Sequence, residues 1–392
     1  MRNIKDETKL NQKNILLRLD LNVPLDNGKI TDTTRIDKIL PTIKFLLENN
    51  SRIIILSHVG RPKGKIIDEL SLKPICEELK KKLNKDIQFI SKNIKEINSK
   101  DLFNNQEEKI IMLENLRFYK EEEQNNNEFA KHLASFAEIY INDAFSCSHR
   151  AHASIFEITK FLPSYAGLQL NLEIDALTKI TSEIKKPITC IIGGSKVSTK
   201  INIIKNLIPK FDNIVIVGGM ANNLLKYKGH DIGKSIYEAN CNQIIEEIFS
   251  FSKKENCKII YPQDVSVGKN FNGQPKIKEI DKVSEDEMIL DIGPKTIKTI
   301  NSLIEQSKTI LWNGPAGYFE NPNYAKGSLE IAKKIVEKNK AQSIFSVAGG
   351  GDTVALLNNL GATDNFNFVS TAGGAFLEYL EGKELPGIKA LN

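Results

Sequence analysis

Short runs of aliphatic and β-branched residues alternate along this chain with stretches whose apolar positions recur every three or four residues. Residues 14–21, 52–57 and 110–113 read as strands, and the stretches after Arg35 and after Ser71 as helices. In the second half, strands are predicted at 188–192, 214–217, 259–261, 288–292, 309–312, 343–347 and 366–370, with helices after most of them. Such βαβ alternation predicts an α/β protein with parallel sheets covered by helices on both faces, one sheet per half. A helical stretch at 165–181, with Leu168, Leu172, Leu177 and Ile180 at helical spacing, precedes Lys185-Lys186-Pro187 and a fresh strand, which is where a joint between the halves is expected.

Length supports that division, because 392 residues exceed the size of most single cores. Hydrophobic content of 41% and charged content of 26% are those of an ordinary globular protein. The 54 basic and 49 acidic residues leave a net charge of +5, too small to point to nucleic acid or a membrane surface as partner. The first twelve residues are polar and no run of 18 apolar residues occurs, so a cytoplasmic protein is expected. The five cysteines are scattered and form no CxxC, which argues against a disulfide frame or a zinc site.

The basic residues are unevenly divided. Seven of them are arginine (Arg2, Arg18, Arg35, Arg52, Arg61, Arg117 and Arg150), and none lies beyond position 150. Glycine runs the other way, with three of 24 before residue 166. In a chain that otherwise writes lysine, retained arginines suggest sites that need the planar five-donor fork for phosphate or carboxylate.

Five of these arginines fall at predicted strand ends or helix starts. Arg18, Asp20 and Asn22 are expected to share one face of the first strand by period two. Arg35 opens a helix, where the N-terminal dipole favours anions. His58, Val59, Gly60 and Arg61 end the next strand, Arg117 follows the 110–113 strand, and Arg150 sits in a histidine-containing loop. His149 and His152, with Asp143 near, allow a metal site but lack a clear further ligand. Nothing marks Cys147 as an activated nucleophile. The runs Lys80 to Lys82 and Glu121 to Glu123 read as solvated faces, and Trp312 as a packing residue.

In the second half, Gly193-Gly194 precedes Lys196 and Lys200 after a strand, without the spacing of a Walker A loop. Gly218-Gly219, Asn313-Gly314, Gly349-Gly350-Gly351 and Gly373-Gly374 close four more strands. Backbone amides there can face phosphates, and Asp352 beside Thr353 can carry Mg²⁺. No GxGxxG is present, which disfavours a dinucleotide enzyme.

Eight blocks in order, RLDLNVP (18–24), SHVGRP (57–62), LENLRF (113–118), NDAF with HRAHAS (142–154), GGSKVSTK (193–200), WNGPAGYFE (312–320), GGGDT (349–353) and STAGGAFLEYLEGK (370–383), resemble the phosphoglycerate kinase family over nearly the whole chain. The resemblance implies two Rossmann-like doubly wound lobes: residues 1–166 plus about 380–392, and 183–379, joined by an interdomain helix at 167–182. It implies that Asp20, Leu21, Asn22, Arg35, His58, Val59, Gly60, Arg61, Arg117 and Arg150 bind 3-phosphoglycerate, with Arg18 supporting that site. It implies that Gly193, Lys196, Lys200, Gly218, Gly219, Asn313, Glu320, Gly349, Gly350, Gly351, Asp352 and Thr353 bind ATP or ADP with Mg²⁺, Glu320 holding the ribose and Asp352 serving the metal. Ala372, Val217 and Cys147-Ser148 depart from the family pattern, and Ala372 is expected to be tolerated if its φ is negative.

The implied reaction moves the γ-phosphoryl group of ATP reversibly to the carboxylate of 3-phosphoglycerate, giving 1,3-bisphosphoglycerate. It proceeds in line after hinge closure, with Arg35, Lys196, Gly351 and Gly373 at the transferring group. A carboxylate nucleophile is ionised at neutral pH, so no general base is required. The expected partners are these small molecules alone, with no nucleic acid and no membrane, and the enzyme is expected to be a monomer. Rival readings are another acyl-phosphate-forming kinase, an inactive nucleotide-binding scaffold, and a nicotinamide enzyme.

Overall fold

The structure, a computed structural model, describes residues 1–103 and 109–392. The chain divides into two compact units, Met1–Ile174 with Glu384–Asn392, and Asp175–Lys383.

In the first unit, the elements run β1 (Asn14–Leu19), α1 (Thr34–Glu48), β2 (Arg52–Leu56), α2 (Lys73–Leu83), β3 (Gln88–Ile90), β4 (Ile110–Leu113), α3 (Asn127–Ala134), β5 (Ile139–Asp143), β6 (Ser164–Ala166) and α4 (Leu168–Thr181), the last crossing the boundary between the units. The strands form one parallel sheet in the order β3-β4-β2-β1-β5-β6. Alternate side chains feed opposite faces. Ile15, Leu17 and Leu19 pack with Ile36, Ile39 and Ile43 of α1, whereas Leu16 packs on the other side with Phe129 and Leu133 of α3. Arg18 takes its turn on the second face and is only 1% exposed. The segment Glu384–Asn392 completes this unit, with Gly387 N–H donating to the Ser148 carbonyl at 2.8 Å.

In the second unit the order is β7 (Ile188–Ile192), α5 (Ile201–Leu207), β8 (Asn213–Ile216), α6 (Gly219–Tyr227), α7 (Asn242–Lys254), β9 (Lys258–Ile260), β10 (Asp264–Gly268), β11 (Lys276–Glu279), β12 (Met288–Ile292), α8 (Pro294–Gln306), β13 (Thr309–Asn313), α9 (Lys326–Lys340), β14 (Phe345–Gly349), α10 (Gly351–Asn359), β15 (Phe368–Ser370) and α11 (Gly374–Leu380). Its parallel sheet runs β9-β8-β7-β13-β14-β15. The chain winds outward from β7 on one side and from β13 on the other, so those neighbours form the switch point where open α/β sheets receive ligands.

Two expectations are corrected. The 288–292 strand does not join the parallel sheet, but lies with β10 and β11 in a separate three-stranded antiparallel sheet. Its apolar run suits either sheet, so sequence could not assign it. The first strand ends at Leu19 rather than Leu21, because the Asp20 carboxylate accepts from the Asn22 N–H at 3.2 Å and turns the chain out of the ladder. Arg18, Asp20 and Asn22 therefore do not share a strand face. No helix among the described residues is long and apolar enough to cross a membrane.

Candidate active site

In the first unit the expected site residues gather at the carboxyl ends of β1, β2 and β4. Arg35, in the first turn of α1, donates from Nη1 to Asp20 Oδ1 at 3.2 Å and to the Asn22 carbonyl at 2.9 Å. Asn22 Oδ1 accepts from the Gly60 N–H at 2.9 Å, and the Gly60 carbonyl accepts from Arg117 Nη1 at 2.9 Å. Two arginines are thus tied into one run through Asp20, Asn22 and Gly60. The Leu21 N–H donates to Ser57 Oγ, and the Val59 carbonyl accepts from Asn115 Nδ2 at 2.8 Å. Arg61 and Arg150 are exposed and make no hydrogen bond or ion pair by side chain among the described residues.

Beneath this run lies a buried layer. Arg18 donates from Nε to Ser154 Oγ at 2.9 Å, from Nη1 to the Leu19 carbonyl, and from Nη2 to His58 Nδ1 at 3.0 Å. Ser154 in turn donates through Oγ and N–H to both oxygens of Glu122 at 2.6 and 3.0 Å. Glu122 is fully buried, which corrects its reading as part of a solvated run. Burial pushes its carboxyl up, opposed chiefly by the Arg18 guanidinium. Burial, aided by Arg117 and Arg18, pushes His152 down to about 3, and burial with Arg18 holds His58 well below the usual imidazole range. Asp143 is pushed up to about 6 by burial while accepting from Thr42 Oγ1 and the Leu170 N–H. That carboxylate is committed to the fold, and no group of three or more histidine, cysteine or acidic side chains among the described residues is placed to hold a metal. Cys147 is buried, which raises its thiol pKa and leaves it unsuited to be a nucleophile.

In the second unit the glycine turns converge at the switch point. Asn313, at the end of β13, donates from Nδ2 to the Gly349 carbonyl at 2.6 Å and accepts from Lys200 Nζ, while its carbonyl receives the Gly193 N–H at 2.8 Å. The Gly314 N–H donates to Thr353 Oγ1 at 2.7 Å. Burial lowers the Lys200 ammonium pKa, with Cys190 and then Asp352 opposing. Gly193 admits no side chain, since a Cβ there would lie 2.3 Å from the Pro315 carbonyl oxygen. Helices α6, α10 and α11 each begin after a glycine (Gly218, Gly350, Gly373) and carry no side-chain cap; in α6 the Met220 N–H already donates to the Gly194 carbonyl at 2.7 Å, whereas the first amides of α10 and α11 have no partner among the described residues. Lys196 is exposed beside these turns, as is Gly351 at the head of α10. Ala372 is not among the residues of positive φ; that step falls on Gly373, at +55°.

A cavity of about 250 Å³ opens next to the turns. Gly194, Gly218, Gly219, Glu320 and Asp352 line its polar side, and Ile236, Phe271, Met288, Leu290 and Phe319 supply apolar walls. A flat heteroaromatic ring suits such a slot. Sequence reasoning missed most of the walls, because Ile236, Phe271, Met288 and Leu290 come from segments that carry no motif, including the antiparallel β12; Phe319 alone of these lies in a quoted block, WNGPAGYFE. Buried Asp291 also lines the cavity; its carboxyl, which accepts from the Gly327 N–H at 2.7 Å, is pushed up to about 7 by burial.

Comparison with known proteins bears on what these two sets of residues do. The phosphoglycerate kinase family model matches residues 4–383. The chain belongs to the phosphoglycerate kinase family. It is 45% identical to the phosphoglycerate kinase of Methylorubrum extorquens (strain PA1), over all of this chain and 98% of that protein. It is 46% identical to that of Wolbachia pipientis wMel, over 97% of this chain and 96% of that one. Among solved structures, phosphoglycerate kinase from Coxiella burnetii superposes with a TM-score of 0.90 at 40% identity, covering 98% of this chain and 97% of that one. Phosphoglycerate kinase from Pyrococcus horikoshii OT3 gives 0.82 at 27% identity. Membership makes the chain a phosphotransferase of glycolysis that uses ATP or ADP and small-molecule substrates, on the two-lobed α/β fold of phosphoglycerate kinases.

Proposed function

We propose that the unit Met1–Ile174 with Glu384–Asn392 is the 3-phosphoglycerate-binding domain, and that Asp175–Lys383 is the nucleotide-binding domain, with the helix at 167–182 joining them. The observation that carries the reading is the anchored Arg35, whose Nη1 is fixed by Asp20 and the Asn22 carbonyl at the start of α1. Asp20, Leu21, Asn22, His58, Val59, Gly60, Arg61, Arg117 and Arg150 would surround a phosphorylated carboxylate, for which guanidinium forks are the fitting donors. In the second unit, Gly193, Gly218, Gly219 and the Gly349 to Thr353 turn would cradle the nucleotide phosphates. Lys200 and Asn313 support that turn, and Glu320 would hold the ribose. The donor set fits Mg²⁺: Asp352 is one exposed carboxylate at the mouth of the cavity, and Mg²⁺ commonly takes one or two carboxylates and completes its shell with phosphate oxygens and water. When bound, the ion would neutralise charge on the phosphates.

The acceptor carboxylate is already ionised, so these residues need only orient it, exclude water and spread charge along an in-line path. Arg35 and Lys196, with the amides of Gly351 and Gly373, would meet the transferring group. Acceptor and donor residues belong to different units, so transfer requires hinge closure. The same reading takes the enzyme as a cytoplasmic monomer without nucleic-acid or membrane partners, supported by the near balance of 54 basic and 49 acidic residues.

The test is Arg35→Lys in an acyl-phosphate assay coupled to NADH oxidation. Loss of a bidentate contact made in the transition state should lower kcat at least about tenfold, roughly 1.4 kcal/mol. Near-wild-type turnover would refute the role of Arg35. Preference for acetate or aspartate over 3-phosphoglycerate would refute the acceptor site.

A further inference from the structure

We propose that Arg18 is a positioning residue that locks His58 into the neutral Nε2–H tautomer, so that the ring can act only as a hydrogen-bond donor. Arg18 has five N–H bonds and no acceptor. One is directed to Ser154 Oγ, one to the Leu19 carbonyl, and Nη2 lies 3.0 Å from His58 Nδ1, with Cys147 Sγ a further 3.9 Å neighbour of the same nitrogen. A hydrogen on Nδ1 would face a guanidinium hydrogen, so Nδ1 must be bare and the ring's single hydrogen sits on Nε2.

Arg18 is not free to turn away. Its carrier Ser154 has one hydroxyl hydrogen, which goes to Glu122 Oε1 at 2.6 Å, leaving the oxygen's lone pairs to accept from Arg18. The second Glu122 oxygen accepts the Ser154 N–H at 3.0 Å. The guanidinium is therefore held through Ser154 by a buried carboxylate and cannot reorient without breaking that chain.

The groups facing the imidazole reinforce its neutrality. Arg18 comes from β1, Arg35, itself paired with Asp20, from α1, Arg117 from the turn after β4, and Cys147 and His152 from the loop after β5. Nδ1 lies 4.0 Å from Cys147 Sγ, and no hydrogen bond occupies Nε2 among the described residues. Nε2 is thus the atom left for a ligand oxygen.

This inference rests on His58 belonging to the 3-phosphoglycerate site, and its test separates the two ideas. Full-length protein labelled with ¹⁵N-histidine would be followed by long-range ¹H–¹⁵N correlation from pH 5.5 to 8, with His58 assigned from His58→Gln. The expected wild-type spectrum is a neutral Nε2–H ring across the whole range. Arg18→Met should release a mixture of tautomers that titrates, whereas Arg18→Lys, which keeps a donor, should largely restore the single tautomer. Turnover should follow, with KM for 3-phosphoglycerate rising about tenfold in Arg18→Met for one lost hydrogen bond. An Nδ1–H ring, or a wild-type ring that protonates with a midpoint near its ordinary value, overturns the proposal without recourse to any variant. If the tautomer is as expected but added 3-phosphoglycerate leaves the His58 resonances unmoved, the substrate role of His58 falls and the tautomer lock stands.

Discussion

The two units arrange the polar groups at their strand ends by opposite means. The first uses side chains, and three of its arginines are pinned by other groups: Arg35 by Asp20, Arg117 by the Gly60 carbonyl, Arg18 by Ser154 and Glu122. The second uses the main chain, with glycines at Gly218, Gly350 and Gly373 opening helices whose first amides have no side-chain cap. A pinned guanidinium has given up much of its rotamer freedom during folding, so less is lost on binding. A backbone turn has no rotamer to lose, but it tolerates no added atom. The first design is sensitive to the loss of a charge, the second to the gain of a methyl group.

That contrast can be broken in three places. The largest effect is expected from Glu122→Ala, which leaves the Arg18 guanidinium buried without its compensating carboxylate. Breaking a buried pair typically costs about 3–5 kcal/mol, here confined to the first unit. Hydrogen exchange of β1 and β5 amides should accelerate, while fluorescence of Trp312, the single tryptophan and fully buried in the second unit, should report an unchanged unfolding midpoint. Equal loss in both units would end the idea that they respond separately.

Next is Gly193→Ala, whose Cβ would meet the Pro315 oxygen at 2.3 Å and the Gly314 backbone at 3.0 Å. Overpacking of this kind costs about 1–3 kcal/mol. The Trp312 transition should move and ATP affinity should fall, while titration with 3-phosphoglycerate alone gives the wild-type affinity. Normal ATP binding would show that the turn can yield.

The smallest effect is a divergence with pH. His58 and His152 have folded-state pKa values below the ordinary imidazole value, so under about pH 6.5 the unfolded chain takes protons that the folded first unit refuses. Each such proton weakens the first unit by up to about 1.4 kcal/mol per pH unit as pH falls. Below about 6, Asp143 offsets one of them, and Glu122, also raised by burial, acts in the same sense, because a raised pKa lets the folded unit bind a proton first. Asp291 of the second unit is raised to about 7, so that contribution grows as pH falls from 7 toward the ordinary aspartate value. Between pH 7.5 and 6, strand amides of the first unit should lose protection while the Trp312 transition holds or rises. A parallel fall would contradict the assigned charge states.

What sequence could deliver follows from what each element needs. Strand ends bearing Arg18, Gly193 or Asn313 stood out because apolar runs stop there at polar or glycine residues. Glu122 did not, since its neighbours Glu121 and Glu123 make an unremarkable acidic turn and only the distant Ser154 reveals it as buried. The antiparallel sheet was missed because β12 has the same apolar run as a parallel strand, and the cavity walls because Ile236, Phe271 and Leu290 meet only in three dimensions. The roles of Arg61 and Arg150 rest on sequence and family resemblance, since neither side chain has a partner among the described residues that would fix it.

The last nine residues belong to the unit that the first 174 residues begin. With the Arg2 N–H donating to the Leu391 carbonyl at 3.3 Å, the second unit is in effect an insertion within the first. On the ribosome, the first unit must wait for the whole inserted unit to be synthesised before its own closing segment arrives, and that order should reverse in a circular permutant opened within the insertion.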